Sequence, residues 1–193
     1  MSDSKAENDS RPEDICLACA LCCNGVIFAD VKLLPKDNAA GLVALGMALV
    51  KTPSGRAESS EARVSSRGWR FLQPCAALDG CRCRIYGSRP NYCRDFECLL
   101  LKSVKGGRVT HGEALKVIRA TQRRAEKVRK LLRALGDDEE TLSLADRFRR
   151  MTKGLQRAEP DAARAELYGR LTLAFHELRL ALDDSFYPAP PRE

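Results

Sequence analysis

The nine cysteines of the chain divide into two tight groups, and this division constrains the fold more than any other feature. The first group is the segment CLACALCC, and the second lies within the segment PCAALDGCRCRIYGSRPNYCRDFEC. No cysteine follows Cys98. Cysteines used as small apolar residues would be spread through a core rather than gathered in this way. The pattern therefore predicts that the two groups meet in space and form one cysteine cluster.

The composition indicates a globular protein in a reducing compartment. The 193 residues are 44% hydrophobic and 31% charged, which is typical of one compact domain with an appendage. Residues 1–14 are polar and acidic, so we expect no secretory signal, and the longest apolar run, residues 41–50, is too short to span a bilayer. We expect a cytoplasmic protein that makes no membrane contact. Thiols persist there, and an odd cysteine count also favours metal or redox chemistry over disulfides.

The periodicity predicts an α+β fold, a small cysteine-cluster metal-binding domain with a mostly helical C-terminal extension. We expect four regions: a disordered tail (1–14), the cysteine-cluster domain (15–103), the helical extension (104–184) and a C-terminal tail (185–193). Short strands are predicted at 26–34, 64–72 and 84–86, and helices at 37–49, 113–135, 139–155 and 161–182. Thr110 and Glu113 have the spacing of a capping box, which would start the first long helix.

The local geometry of both groups can be anticipated from their spacing. A helical turn over the first group would place Cys16, Cys19 and Cys23 on one face, with Cys22 to the side. In the second group, Asp79-Gly80 is a turn signal that favours a hairpin, and a hairpin would bring the flanking cysteines together.

A short helix is predicted to begin after Arg89-Pro90, because proline is favoured in a first helical turn. Cys93 would then lie near the helix N-terminus. We expect the helix dipole, with Arg89 and Arg94 as counter-charges, to lower the pKa of this thiol and make Cys93 the most important ligand.

The cysteine spacing narrows the chemistry to thiolate metal ligation. The spacing Cys-x2-Cys supplies two ligands to zinc, and iron–sulfur clusters use the same donors. A ferredoxin run is excluded because Cys22 is followed directly by Cys23 and Asn24. The absence of a surrounding βαβ pattern disfavours a thioredoxin-type motif. Only two histidines are present, and neither lies among the cysteines, so we favour a ligand set made of thiolates.

These motifs resemble the YkgJ-like cysteine-cluster family, which has a zinc- or iron-chelating CxxCxxCC domain. The resemblance covers residues 14–103 and includes the positions Gly80, Ile85, Tyr86, Arg89, Pro90, Arg94 and Phe96, together with eight cysteines. It implies that these eight hold zinc or iron, the latter as an ion or an iron–sulfur cluster: Cys16, Cys19, Cys22, Cys23, Cys75, Cys83, Cys93 and Cys98. Cys81 falls on a variable position, and its participation is left open.

Three classes of function stay open at this point: a metal-binding module, an enzyme and a nucleic-acid-binding protein. A related cysteine cluster occurs in flagellin lysine methylases, where the resemblance implies an iron–sulfur centre, although the sequence contains no nucleotide loop or catalytic triad. Between Lys102 and Arg133 the sequence has eleven basic residues and only two acidic ones. We favour a solvated face or an acidic protein partner on the basic helix 113–135 over nucleic acid, because no base-stacking aromatics accompany the charges.

Overall fold

The computed structural model describes Pro12 and residues 14–51, 68–156 and 161–187, and over these ranges it confirms the predicted α+β class. A three-stranded antiparallel sheet has the strand order β1-β3-β2, and β4 and β5 form a separate hairpin. The elements are α1 (Asp14–Cys19), β1 (Asp30–Lys32), α2 (Ala39–Ala44), β2 (Leu49–Lys51), β3 (Trp69–Leu72), β4 (Leu78–Asp79), β5 (Arg82–Cys83), a 3₁₀ turn (Tyr86–Ser88), α3 (Asn91–Asp95), α4 (Leu99–Lys105), α5 (His111–Ala134), α6 (Leu144–Leu155) and α7 (Ala162–Ser185). None of the described helices has both the length and the apolar character needed to cross a membrane.

The two longest helices, α5 and α7, pack together and form the main apolar core. Helix α5 begins at the predicted capping box, in which the Thr110 hydroxyl accepts from Glu113 N–H and the Glu113 carboxylate accepts from Thr110 N–H. It ends before Gly136, whose φ of 89° lies in the left-handed region that favours glycine. The buried side chains recur at helical spacing: Ile118, Ala125, Val128 and Leu132 on α5, and Leu171, Ala174, Leu178 and Leu182 on α7.

The chain around α1 contributes to this same helical core. Ile15 and Leu21 are buried in one cluster with the α5 and α7 side chains, and α1 packs directly on α5. Phe186, which the sequence placed in the C-terminal tail, is fully buried in the cluster as well. The first cysteine group is therefore anchored by helices that lie far from it in sequence.

A second, smaller core lies under the three-stranded sheet. Val31 of β1 pairs with Phe71 of β3, and both side chains are buried. Leu42 of α2 and Met47 pack against them. This core supports the second cysteine group, since Cys75 and Cys93 contact it.

Several short elements differ from their predicted bounds. The helix expected over 37–49 is only the six-residue α2, because Gly46 adopts a φ of 82° and the following apolar residues form β2. The strand expected over 84–86 is absent, because residues 84 and 85 form a turn and a 3₁₀ turn begins at Tyr86, so that prediction is wrong. Of the strand expected over 26–34, only the three residues of β1 form a strand. The strand expected over 64–72 contains β3, and its residues 64–67 lie outside the described residues. Helix α4 was not anticipated.

A buried ion pair joins the end of α5 to α6. The Arg147 guanidinium donates from Nε to Asp137 Oδ2 at 2.6 Å and from Nη2 to the Asp137 carbonyl at 3.3 Å. Both side chains are almost fully buried, and Arg150 donates to the other carboxylate oxygen at 3.0 Å. This network sets the position of the N-terminus of α6, where Leu144 N–H donates to the Gly25 carbonyl beside the first cysteine group.

Replacement of Asp137 with alanine should destabilise the protein by about 3–5 kcal/mol, because it leaves the Arg147 charge buried without its partner. Asp138→Ala is the matched control, since Asp138 is exposed one residue away. The measurement is the free energy of unfolding in urea. Equal stability of the two variants would show that the pair does not hold α5 and α6 together.

Candidate metal centre

The first cysteine group folds as a short helix followed by a tight turn. Helix α1 ends at Cys19, and Ala20 then adopts a left-handed φ of 55°. The amides of Cys23 and Asn24 both donate to the Ala20 carbonyl at 2.9 Å, and Gly25 reverses the chain with a φ of 77°. Because the helix does not continue, Cys22 and Cys23 are placed by the turn rather than by helical periodicity.

This turn changes which cysteines lie together. Cys22, and not Cys23, packs with Cys16 and Cys19 against the helical core. Of the thiol charges that act on Cys23, those of Cys75 and the hairpin cysteine Cys83 have the largest effect, and that of Cys16 has a smaller one. The prediction that Cys16, Cys19 and Cys23 share one helical face is therefore wrong, because the left-handed Ala20 ends the helix before Cys23.

The second group contains the predicted hairpin. In it β4 pairs with β5, and the turn at Gly80 has a φ of 56°. Cys83 pairs opposite Leu78, whereas Cys81 lies in the turn and is exposed. The Cys75 amide donates to the Cys23 carbonyl at 2.8 Å. The two cysteine groups thus meet directly through the backbone, as the sequence predicts.

Cys93 lies in the first turn of α3, which follows Pro90 as expected. The helix start is held by Asp37, whose carboxylate accepts from Asn91 N–H at 2.8 Å. On α3, the Tyr92 ring packs against Phe28 in a T-shaped contact, with 5.9 Å between the ring centroids. These contacts turn the Cys93 side of the helix towards the other cysteines.

A cavity of about 150 Å³ lies where the two groups meet. Its apolar walls include Ile27, Phe28 and Leu101. Neither His111 nor His176 lines it. Eight of the nine cysteines contribute to its lining: Cys16, Cys19, Cys22, Cys23, Cys81, Cys83, Cys93 and Cys98. Cys75 does not line it but lies next to Cys23 through the backbone hydrogen bond.

Cationic and N–H donors are directed at this thiol-lined cavity. Arg89 stacks on the Tyr86 ring at 3.6 Å and donates from Nε to the Tyr86 carbonyl at 2.8 Å. Its guanidinium opposes the rise in the pKa of both Cys23 and Cys93, which places its charge beside these thiols. At the other end, Cys98 caps α4 and its sulfur accepts from Leu101 N–H at 3.4 Å. Such donors stabilise thiolate sulfur.

Residues from the helical half hold the first cysteine group in place, and sequence reasoning missed all of them. Gln122 of α5 donates from Nε2 to the carbonyls of Ala18 and Cys19, at 3.1 and 3.0 Å. Arg129 donates to the Asn24 carbonyl at 3.4 Å, and the Tyr187 hydroxyl donates to the Ile27 carbonyl at 3.1 Å. No local pattern reveals these contacts, because each joins residues more than a hundred positions apart.

Burial raises the pKa of most of the cysteine thiols. Burial first, and then the charges of neighbouring thiols, bring the pKa of Cys19, Cys23 and Cys93 to about 12. Burial also raises the pKa of Cys22, Cys75 and Cys98. The expectation that the α3 N-terminus lowers the pKa of Cys93 is therefore wrong, because loss of solvation outweighs the Arg89 charge.

The donor chemistry of this centre fits a thiophilic metal. All nine cysteines lie in the described residues, and none forms a disulfide. Within the described ranges, no three Cys, His, Asp or Glu side chains are grouped closely enough to hold a metal ion as they stand. A bound metal would therefore have to draw neighbouring sulfurs together and displace their protons, and metal binding to protein thiols generally releases protons in this way.

The raised thiol pKa values predict that the metal-free protein loses stability as the pH rises. An exposed thiol titrates near its ordinary value of 9.0, whereas folded Cys93 keeps its proton to about 12. The stabilising contribution of the protonated Cys93 thiol is thus complete below pH 9, and it is lost as the pH rises from about 9 to about 12. Between about pH 8.5 and 10.5, the free energy of unfolding in urea should fall less for Cys93→Ala than for Cys81→Ala. Equal falls would contradict the burial of the Cys93 thiol.

Comparison with models of protein families gives a match. The family model described as "CxxCxxCC: Putative zinc- or iron-chelating domain" matches residues 15–127, which is more than half of the chain. The matched region begins at the first cysteine group and extends through most of α5, including Gln122. No curated protein and no solved structure matches the chain.

Proposed function

The chain belongs to the CxxCxxCC family, described as a zinc- or iron-chelating domain, and on this premise we propose that it binds zinc or iron through the thiolates of its two cysteine groups. The proposed ligands are Cys16, Cys19, Cys22, Cys23, Cys75, Cys83, Cys93 and Cys98. Thiolates are soft donors that select zinc, iron–sulfur clusters and related metals over hard cations. The choice between zinc, iron and an iron–sulfur cluster is a matter for measurement.

The observation that carries this proposal is the meeting of the two groups at one cavity. The hydrogen bond from Cys75 N–H to the Cys23 carbonyl joins segments that are far apart in sequence. Seven of the eight proposed ligands line the cavity beside that bond, and the eighth, Cys75, donates the bond itself. Gathering this many thiols has no benefit for an apolar core, but it is the arrangement that metal ligation requires, and a bound metal displaces the thiol protons.

A metal held by four thiolates would supply structural cross-links between the cysteine segments rather than an open coordination position. The chain's own residues then orient and shield the sulfurs. Gln122 holds the end of α1, Arg89 places a positive charge beside Cys23 and Cys93, and Phe28 forms part of the apolar cavity wall. Nine cysteines that form no disulfide suit a reducing compartment, so we propose a cytoplasmic location. An iron–sulfur enzyme and a nucleic-acid-binding protein stay predictions that no observation favours.

Metal content should separate the proposed ligands from the thiol that lies off the family motif. Cys81→Ser should keep the full metal content, because Cys81 is exposed in the hairpin turn. Cys16→Ser, Cys19→Ser and Cys93→Ser should each lose at least one metal equivalent. The measurement is elemental analysis of anaerobically purified protein, with an absorption spectrum that distinguishes colourless zinc from coloured iron. Full metal retention by Cys93→Ser would contradict the ligand assignment.

We also propose that the outer face of α5 binds an acidic protein partner. Lys116, Arg119, Arg123, Lys127 and Lys130 are all exposed and fall within a narrow sector of the helix. Lys127 pairs with Glu177, but no ion pair with another described residue engages Arg119 or Arg123. Uncompensated charge on one helix face favours association with a surface of opposite sign.

The double variant Arg119→Glu and Arg123→Glu should bind poly-L-glutamate at least several-fold more weakly than the wild-type chain, and the binding should weaken with salt. The matched control is Arg149→Glu with Arg170→Glu, which makes the same charge change at exposed positions on α6 and α7. An equal loss of poly-L-glutamate binding in both double variants would show that binding depends on net charge alone and not on this face of α5. Tighter binding of duplex DNA than of poly-L-glutamate at physiological salt would instead favour the nucleic-acid class.

A further inference from the structure

We propose that the eight motif cysteines form two separate four-thiolate sites rather than one shared centre. This inference rests on the proposed metal-binding function. The helical site consists of Cys16, Cys19, Cys22 and Cys98. The hairpin site consists of Cys23, Cys75, Cys83 and Cys93. One zinc ion takes four ligands, so eight thiolates are the complement of two ions.

The helical site is defined by packing against the larger core. Cys16, Cys19, Cys22 and Cys98 are the cysteines that contact this core. The first three come from α1 and its turn, and Cys98 comes from the N-cap position of α4. Because α1 and α4 both rest on α5, the four thiols are supported by one rigid helix.

The hairpin site is defined by a different set of contacts. Cys75 and Cys93 pack against the smaller core under the sheet. Cys83 is carried by β5, and the Leu78 amide of the paired strand donates to the Cys75 carbonyl at 3.0 Å. Cys23 joins this set through its carbonyl, which accepts from the Cys75 amide at 2.8 Å.

The electrostatic neighbours of the thiols follow this division except at Cys23. The thiol charges that act most on Cys93 come from Cys23, Cys75 and Cys83, all of the hairpin set. Those that act on Cys22 include Cys16, Cys19 and Cys98. Cys23 lies next to both sets, because its charge also acts on Cys19 and Cys22 and the charge of Cys16 acts on it.

The adjacent pair Cys22-Cys23 is therefore the point at which the two sites touch. A tight turn directs consecutive side chains apart, so one cysteine of the pair can serve each site. This accounts for the doubled cysteine at the end of CLACALCC, which a single Cys-x2-Cys knuckle does not need. It also accounts for the placement of Arg89, because its charge acts on Cys23 and Cys93, which are the first and last cysteines of the hairpin set in the sequence.

Cobalt titration of the metal-free, full-length chain tests the division, because cobalt bound by thiolates gives strong charge-transfer absorption. The wild-type chain and the Cys81→Ser control should each bind two equivalents. Cys98→Ser and Cys93→Ser should each bind one, and the double variant should bind none tightly. Loss of both equivalents in either single variant, or saturation of the wild type at one equivalent, would overturn the two-site division while leaving metal binding intact. Absence of cobalt binding by the wild type would overturn the proposed function itself.

A second variant keeps the test informative if a cysteine substitution prevents folding. Gln122→Ala removes the two hydrogen bonds to the α1 carbonyls and leaves every thiol in place. It should weaken one of the two cobalt equivalents by about tenfold and leave the other unchanged, as loss of supporting contacts does at other metal sites. Gln156→Ala, at the exposed end of α6, is the matched control and should leave both equivalents unchanged. Equal weakening of both equivalents by Gln122→Ala would contradict two separate sites.

Discussion

The hydrogen bond from the Cys75 amide to the Cys23 carbonyl joins the two cysteine groups, and the rest of the structure supports that junction. On one side the helical core carries α1 and its turn, and on the other the sheet and hairpin carry the second group. Helix α1 also contacts β5 across the junction. Neighbouring thiols repel each other once they ionise, and burial makes ionisation costly. Without metal, such a cluster is therefore stable only while its thiols keep their protons. With metal, the positive charge of the ion compensates the negative charges of the thiolates that bind it.

The helical half thus has a definite relation to the cysteine cluster. Helix α5 supports the first cysteine group through Gln122 and Arg129, and α6 contributes the Leu144 amide. The buried pair of Asp137 and Arg147 fixes where α6 begins, and so acts on the cluster indirectly. The family match agrees with this relation, since it extends to residue 127 and includes most of α5. The basic outer face of α5 points to solvent, which leaves it available for a partner while the inner face holds the cysteines.

Sequence reasoning predicted the local features well and the long-range ones poorly. The capping box at Thr110, the hairpin at Gly80 and the helix start after Pro90 were confirmed, because each depends on a few adjacent residues. The helical face proposed for the first group was wrong, since a left-handed alanine at position 20 has no reliable sequence signal. The lowered pKa of Cys93 was also wrong, because the loss of solvation depends on packing that the sequence does not display. Contacts such as that of Gln122 with Cys19 were invisible for the same reason. The eight-cysteine ligand set stays a prediction.

X-ray absorption at the metal edge of the anaerobically purified protein tests the central claim most directly, because it reports which elements bind the metal. A thiolate-only centre predicts a first shell of sulfur alone, at about 2.3 Å for zinc, with no scattering from imidazole rings. That result would agree with a cavity lined by cysteines and by neither histidine. A first shell containing nitrogen or oxygen at about 2.0–2.2 Å would contradict the claim that the two cysteine groups together supply all the ligands.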